Sequence, residues 1–60
     1  MSKPTELRVR RIAAGLRILD ISEATGIATT RVSEIERGEG RPADDDELDI
    51  IDKALAKAEQ

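Results

Sequence analysis

No phenylalanine, tyrosine, tryptophan or cysteine occurs among the 60 residues of this chain, and that absence limits what it can fold into more than any other feature. The core must be assembled from Leu, Ile, Val and Ala, without disulfides or a cysteine-based metal site to supplement it. A chain of this length buries only about 60% of the surface that it exposes when unfolded. One domain spanning residues 1–60 is therefore the ceiling, and self-association is a natural source of extra stability. No apolar run approaches the roughly 20 residues of a membrane span or forms a signal-peptide core, so a soluble, cytoplasmic protein with no membrane contact is expected.

Glycine and proline divide the chain into short helical segments. Pro4 suits a first helical turn, with Ser2 or Lys3 before it and Glu6 favouring a helix N-terminus, and Gly15 marks the end of this first helix. Ile18, Leu19, Ile21 and Ala24 define a second helix over 18–25, closed by Gly26. Arg17 is a poor cap for it, and Asp20 or Ser22 offers a later start. Ile27, Val32 and Ile35 then point inward from a third helix that ends at Gly38. Gly38, Gly40 and Pro42 mark a loop. Asp44 or Asp45 caps an acidic fourth helix over about 45–58. Its apolar stripe is Leu48, Ile51, Leu55 and Ala58, widened by Ile50 and Ala54. The fold class is all-α, with four helices or at most five.

The segment 18–37 reads as a helix-turn-helix. Ser22 is small where the two helices approach, Gly26 can take positive φ in the turn, and Ile21, Ile27, Val32 and Ile35 lock the pair onto a core. Two short helices joined in this way can present the second to the major groove of DNA. The formal net charge of −3 runs against a simple basic DNA-binder, but it is polarised. Residues 1–43 hold 8 Lys and Arg against 6 Asp and Glu, whereas residues 44–60 hold 2 against 7. The basic part can face phosphates if the acidic part folds onto the opposite side.

Gly15-Leu16, the run Ile21-Ser22-Glu23-Ala24-Thr25-Gly26-Ile27, the run Val32-Ser33-Glu34-Ile35-Glu36-Arg37-Gly38, and Pro42 resemble the phage-repressor/Cro-type helix-turn-helix family, the XRE family. The resemblance extends from about Leu7 to Leu55 and implies a small lambda-repressor-like domain whose third helix, about 28–37, is the recognition helix. By position it implies that Thr29, Thr30 and Glu34 face base edges, with Arg31 and Ser33 near backbone or base. Arg37 and Arg41 would meet phosphate or lean into the minor groove. Threonine donates, accepts and offers a methyl to thymine; glutamate accepts from cytosine; arginine forks onto guanine or phosphate. A solvated helix face is the competing account of the same residues. The resemblance also implies that Arg11 pairs with Glu36, tying the recognition helix to the first helix.

The chain departs from the family at two places. Ile18 stands where the family usually has a phosphate-contacting Gln, leaving Arg17 to reach a phosphate in its stead. Arg10 stands where the family is apolar, while Val9, Ile12, Ile18 and Leu19 are apolar where it is usually polar. Either the first helix is rotated and these four residues join an altered core, or they form a protein-contact surface.

The expected function is a sequence-specific DNA-binding transcriptional regulator acting as a homodimer on double-stranded DNA, a Cro-like or repressor-type protein such as phages and mobile elements carry. The alternative is a protein-interaction module on the same fold, antitoxin-like or partner-binding, with weak DNA contact or none. Catalysis is disfavoured: with no His and no Cys, metal-ligand and nucleophile-base constellations are nearly excluded, and no cofactor or metal is expected. Asp44, Asp45 and Asp46 lack the loop spacing of a calcium site.

Overall fold

In the computed structural model residues 4–60 are described, with side chains from Glu6 onward; Ser2 and Lys3, which precede the expected first turn, lie outside them. Among the described residues the helices are α1 (Pro4–Ala13), α2 (Ile18–Thr25), α3 (Thr29–Arg37) and α4 (Asp45–Ala58), with no strand. None of these helices is long and apolar enough to cross a membrane.

The helix ends follow from local chemistry. After α1, the Gly15 N–H donates to the Ile12 carbonyl and the Leu16 N–H to the Arg11 carbonyl, both at 3.0 Å, which is the bond pair of a Schellman stop. α2 starts at Ile18 and is not pulled later by Asp20 or Ser22. Asp20 Oδ2 accepts the Arg17 N–H at 2.7 Å, so an acid at the third helical position satisfies a donor at the poorly capped start. α4 opens with a reciprocal pair: Asp44 Oδ1 accepts the Glu47 N–H at 2.8 Å, and Glu47 Oε1 accepts the Asp44 N–H at 3.1 Å.

Between α2 and α3 the chain reverses at Gly26, whose φ of +78° is the left-handed conformation that costs an L side chain about 1–2 kcal/mol. Thr25 holds this turn from both sides. Its hydroxyl donates to the Ile21 carbonyl at 2.7 Å and accepts the Ile27 N–H at 3.2 Å.

α1 and α2 each pack against both α3 and α4, and the core between them consists of Leu7, Ile21, Val32, Ile35, Ile51 and Leu55. Leu16, Ile18, Ile27, Ala43 and Leu48 pack against it, partly buried. The expected stripe of α4 is narrower in the structure. Ile50 is exposed because it lies about 100° around the helix from Ile51, and Ala58 is exposed beyond the last core residue, Leu55.

α1 is not rotated to bury its unusual apolar residues. Leu7 points inward, and Arg10 lies against α4, where it pairs with Asp52 and donates from Nε and Nη2 to Glu59 at 3.1 and 2.7 Å. Val9, Ile12 and Leu19 are left 66%, 52% and 46% exposed. An altered core thus accounts only for Ile18, which is half-buried against the other core residues.

Candidate nucleic-acid interface

α3 has two faces. Val32, Ile35 and Glu36 are buried inward. Thr29 and Thr30 are exposed in its first turn, Ser33 and Glu34 are half-buried one turn on, and Arg37 is exposed at its end. The i, i+3 and i, i+4 spacings of Thr29, Thr30, Ser33 and Arg37 place them along one outward strip. Ala28, the residue that caps the helix start, offers no side-chain hydrogen bond, so the N–H groups of the first turn are left to an anion or water.

The inward face is held by an ion pair as well as by the core. Arg11 donates from Nε to Glu36 Oε2 at 2.7 Å and from Nη2 to Oε1 at 3.1 Å, while its Nη1 donates to the Leu16 carbonyl at 2.9 Å. Glu36 is buried. One guanidinium therefore joins the end of α3, helix α1 and the connection into α2.

Arg31, expected beside backbone or bases, is engaged inside the protein. Its Nε and Nη2 donate to the two oxygens of Glu47 at 2.9 and 2.8 Å, and its Nη1 and Nη2 donate to the carbonyls of Arg41 and Pro42 at 3.0 and 3.4 Å. The planar fork of arginine matches a carboxylate of fixed orientation, and Glu47, at the start of α4, presents one. Arg31 thus fastens α3 to the loop and to α4.

Glu34 is likewise braced. Its carboxylate lies 3.5 Å from Arg31 Nη1 and directly over Gly40, where a Cβ would come within 3.1 Å of Cδ. The φ of +71° at Gly40 would itself strain any other residue.

The exposed cations expected at phosphates already have acidic neighbours. Arg17 pairs with Asp20 at 3.2 Å, Arg37 with Glu39 at 2.6 Å, and Arg41 with Glu47 at 3.0 Å and Asp44 at 3.5 Å. Such surface pairs are worth about 0–1 kcal/mol each, so exchange for a phosphate oxygen is cheap. The Arg17 guanidinium holds the Asp20 carboxyl below its usual range, and Arg10 does the same for Glu59. The strongest case is Glu47: Arg31 above all, then the Asp44 N–H and Arg41, bring its pKa down to about 2.

The acidic part of the chain is therefore divided between two sides. Asp52 and Glu59 meet Arg10 on α1, whereas Asp44 and Glu47 sit with the arginines of α3 and its following loop. Glu47 and the hydroxyl of Thr25 were absent from the residues singled out from sequence. For Glu47 the available signal was its place three residues after Asp44, the spacing of a capping box; for Thr25 it was a hydroxyl next to the turn glycine.

No curated protein and no solved structure matches the chain. The helix-turn-helix family profile, however, matches residues 7–59, which takes in every buried core residue from Leu7 to Leu55 and both helices on either side of the Gly26 turn. The chain belongs to the helix-turn-helix family in its Cro/XRE form, a family of DNA-binding regulators.

Proposed function

We propose that this protein is a sequence-specific transcriptional regulator that binds double-stranded DNA as a homodimer, each copy laying α3 in the major groove. Thr29, Thr30 and Ser33 read base edges, while Arg17, Arg37 and Arg41 meet phosphates. The observation that carries this reading is the asymmetry of α3: Val32, Ile35 and the Arg11–Glu36 pair fix its inner face, and its outer first turn is exposed, small, polar and uncapped. A helix held rigidly on one side and open on the other can enter a groove without reorganising. Glu34, braced over Gly40, meets a cytosine amino group only at the edge of this surface. Two half-sites about 34 Å apart, one per copy, supply the discrimination that a single small module lacks.

The test is a salt titration of binding to a duplex pool of random sequence. Log affinity should fall linearly with log salt, at about −0.9 per phosphate neutralised. A slope near zero contradicts the reading.

A second reading, a protein-interaction module of antitoxin type, is favoured by one observation. Val9, Ile12 and Leu19 are large apolar side chains left about half or more exposed, and exposed apolar surface of this kind can mark an interface. The two readings are compatible if these residues contact a second protein or the second copy while α3 contacts DNA.

A further inference from the structure

Two arginines share one carboxylate at the edge of the α3 surface. Glu47 accepts the fork of Arg31 at 2.9 and 2.8 Å, and it also accepts from Arg41 Nη1 and Nη2 at 3.1 and 3.0 Å. The two cations differ in how firmly they are held. Arg31 is only 13% exposed and additionally bonded to two loop carbonyls, whereas Arg41 is 61% exposed, with Asp44 as a further acidic neighbour at 3.5 Å.

We propose that Glu47, on α4 and outside the helix-turn-helix, is a positioning residue for DNA phosphate binding: it holds Arg41 as an internal stand-in for phosphate, which the DNA backbone must displace. This rests on the DNA-binding reading above and specifies how the strength of that binding is set. Displacement is possible because it strands no charge. When Arg41 swings to a phosphate, Glu47 keeps Arg31, so the carboxylate is never left unpaired, the situation that makes breaking an ion pair costly. Arg31 cannot exchange in the same way, since leaving would break its fork onto Glu47, its contact with Glu34 and its bonds to two loop carbonyls at once. Glu47 stays anionic throughout the range in which duplex DNA is stable, because Arg31 and the Asp44 N–H favour its charged form. The module thus tempers its own phosphate affinity, and base contacts from α3 carry a larger share of the total.

The test measures binding to a duplex of roughly 20 base pairs, two helical turns, of random sequence, for the wild-type chain, Glu47→Gln, Arg41→Ala and the double variant. With Arg41 released, Glu47→Gln should bind roughly two- to fivefold more tightly. The Arg41→Ala penalty should be larger by the same factor in the Glu47→Gln background, a coupling that a purely structural role of Glu47 does not produce. In the wild-type chain, whether or not Glu47→Gln folds well, the guanidinium N–H resonances of Arg41 should shift when the duplex is added while those of Arg31 stay in place. Equal Arg41→Ala penalties in the two backgrounds, or Arg41 resonances that do not move when the duplex binds, overturn the proposal. A wild-type chain that shows no salt-dependent binding at all overturns the DNA-binding reading itself, and the proposal with it.

Discussion

Arg11 and Glu36 face each other across the α1–α3 contact with two hydrogen bonds of 2.7 and 3.1 Å, both side chains nearly removed from water. The pair fastens the last turn of the outward-facing helix to the scaffold, at the end of α3 opposite Thr29 and Thr30.

Loss of one partner from a buried pair costs about 3–5 kcal/mol because the other charge is left behind. Since a single core in a domain this small supplies no more than about 3–5 kcal/mol, Glu36→Ala should leave the chain largely unfolded at 25 °C. Glu34→Ala, which removes only a half-exposed carboxylate, should shift Tm by a few degrees. Thermal melts followed by circular dichroism check this, and equal Tm values for the two variants contradict it.

The Gly26 turn provides a separate check. Gly26→Ala meets no steric neighbour, so its whole cost is the left-handed backbone, about 1–2 kcal/mol. Thr25→Val removes two hydrogen bonds of the same turn and should cost a similar amount. Denaturant midpoints measure both, and an unchanged midpoint for Gly26→Ala would show that the turn has another conformation.

Acid should destabilise the fold in part through the α3–loop–α4 junction. Glu47 has its pKa lowered from 4.5 to about 2, so its contribution is fully present above about pH 4.5 and is lost as the pH falls toward 2. Tm should drop through that window. Glu47→Gln should lose the part of the drop owed to this carboxyl, while those owed to Asp20 and Glu59, also lowered by arginines, remain. An acid-induced drop of equal size in the variant would contradict the assignment.

Removal of exposed apolar side chains should alter assembly and not folding. Ile12→Ser with Leu19→Ser changes side chains that are about half exposed and outside the core, so Tm measured on dilute protein should fall far less than for loss of a core residue. If these residues form the dimer contact, sedimentation should show the variant as a monomer at concentrations where the wild type is dimeric. Unfolding of the variant would instead mean that Ile12 and Leu19 belong to the core.

Much of the fold was legible because it is local. Gly26 and Gly38 bound α3, Asp44 and Glu47 start α4, and the spacing of Ile21, Val32 and Ile35 identifies the core faces. The side-chain network was harder to read because its members are distant in sequence. Arg31 is 16 positions from Glu47, and Arg10 is 42 and 49 from Asp52 and Glu59. No helical period connects residues so far apart, and an arginine on a recognition helix looks the same whether it faces a phosphate or a carboxylate of its own chain. Arg10 shows the same gap from the other side: an arginine at an apolar position signals a partner, but only the packing of α1 on α4 identifies which acids it meets.

The claim that α3 reads DNA is tested most directly by selecting bound sequences from a random duplex pool at two salt concentrations. A paired motif should be enriched, its half-sites about one helical turn or a multiple of it apart, with the non-specific background falling faster than the selected sequences as salt rises. A pool that stays unenriched at both salt concentrations would contradict it.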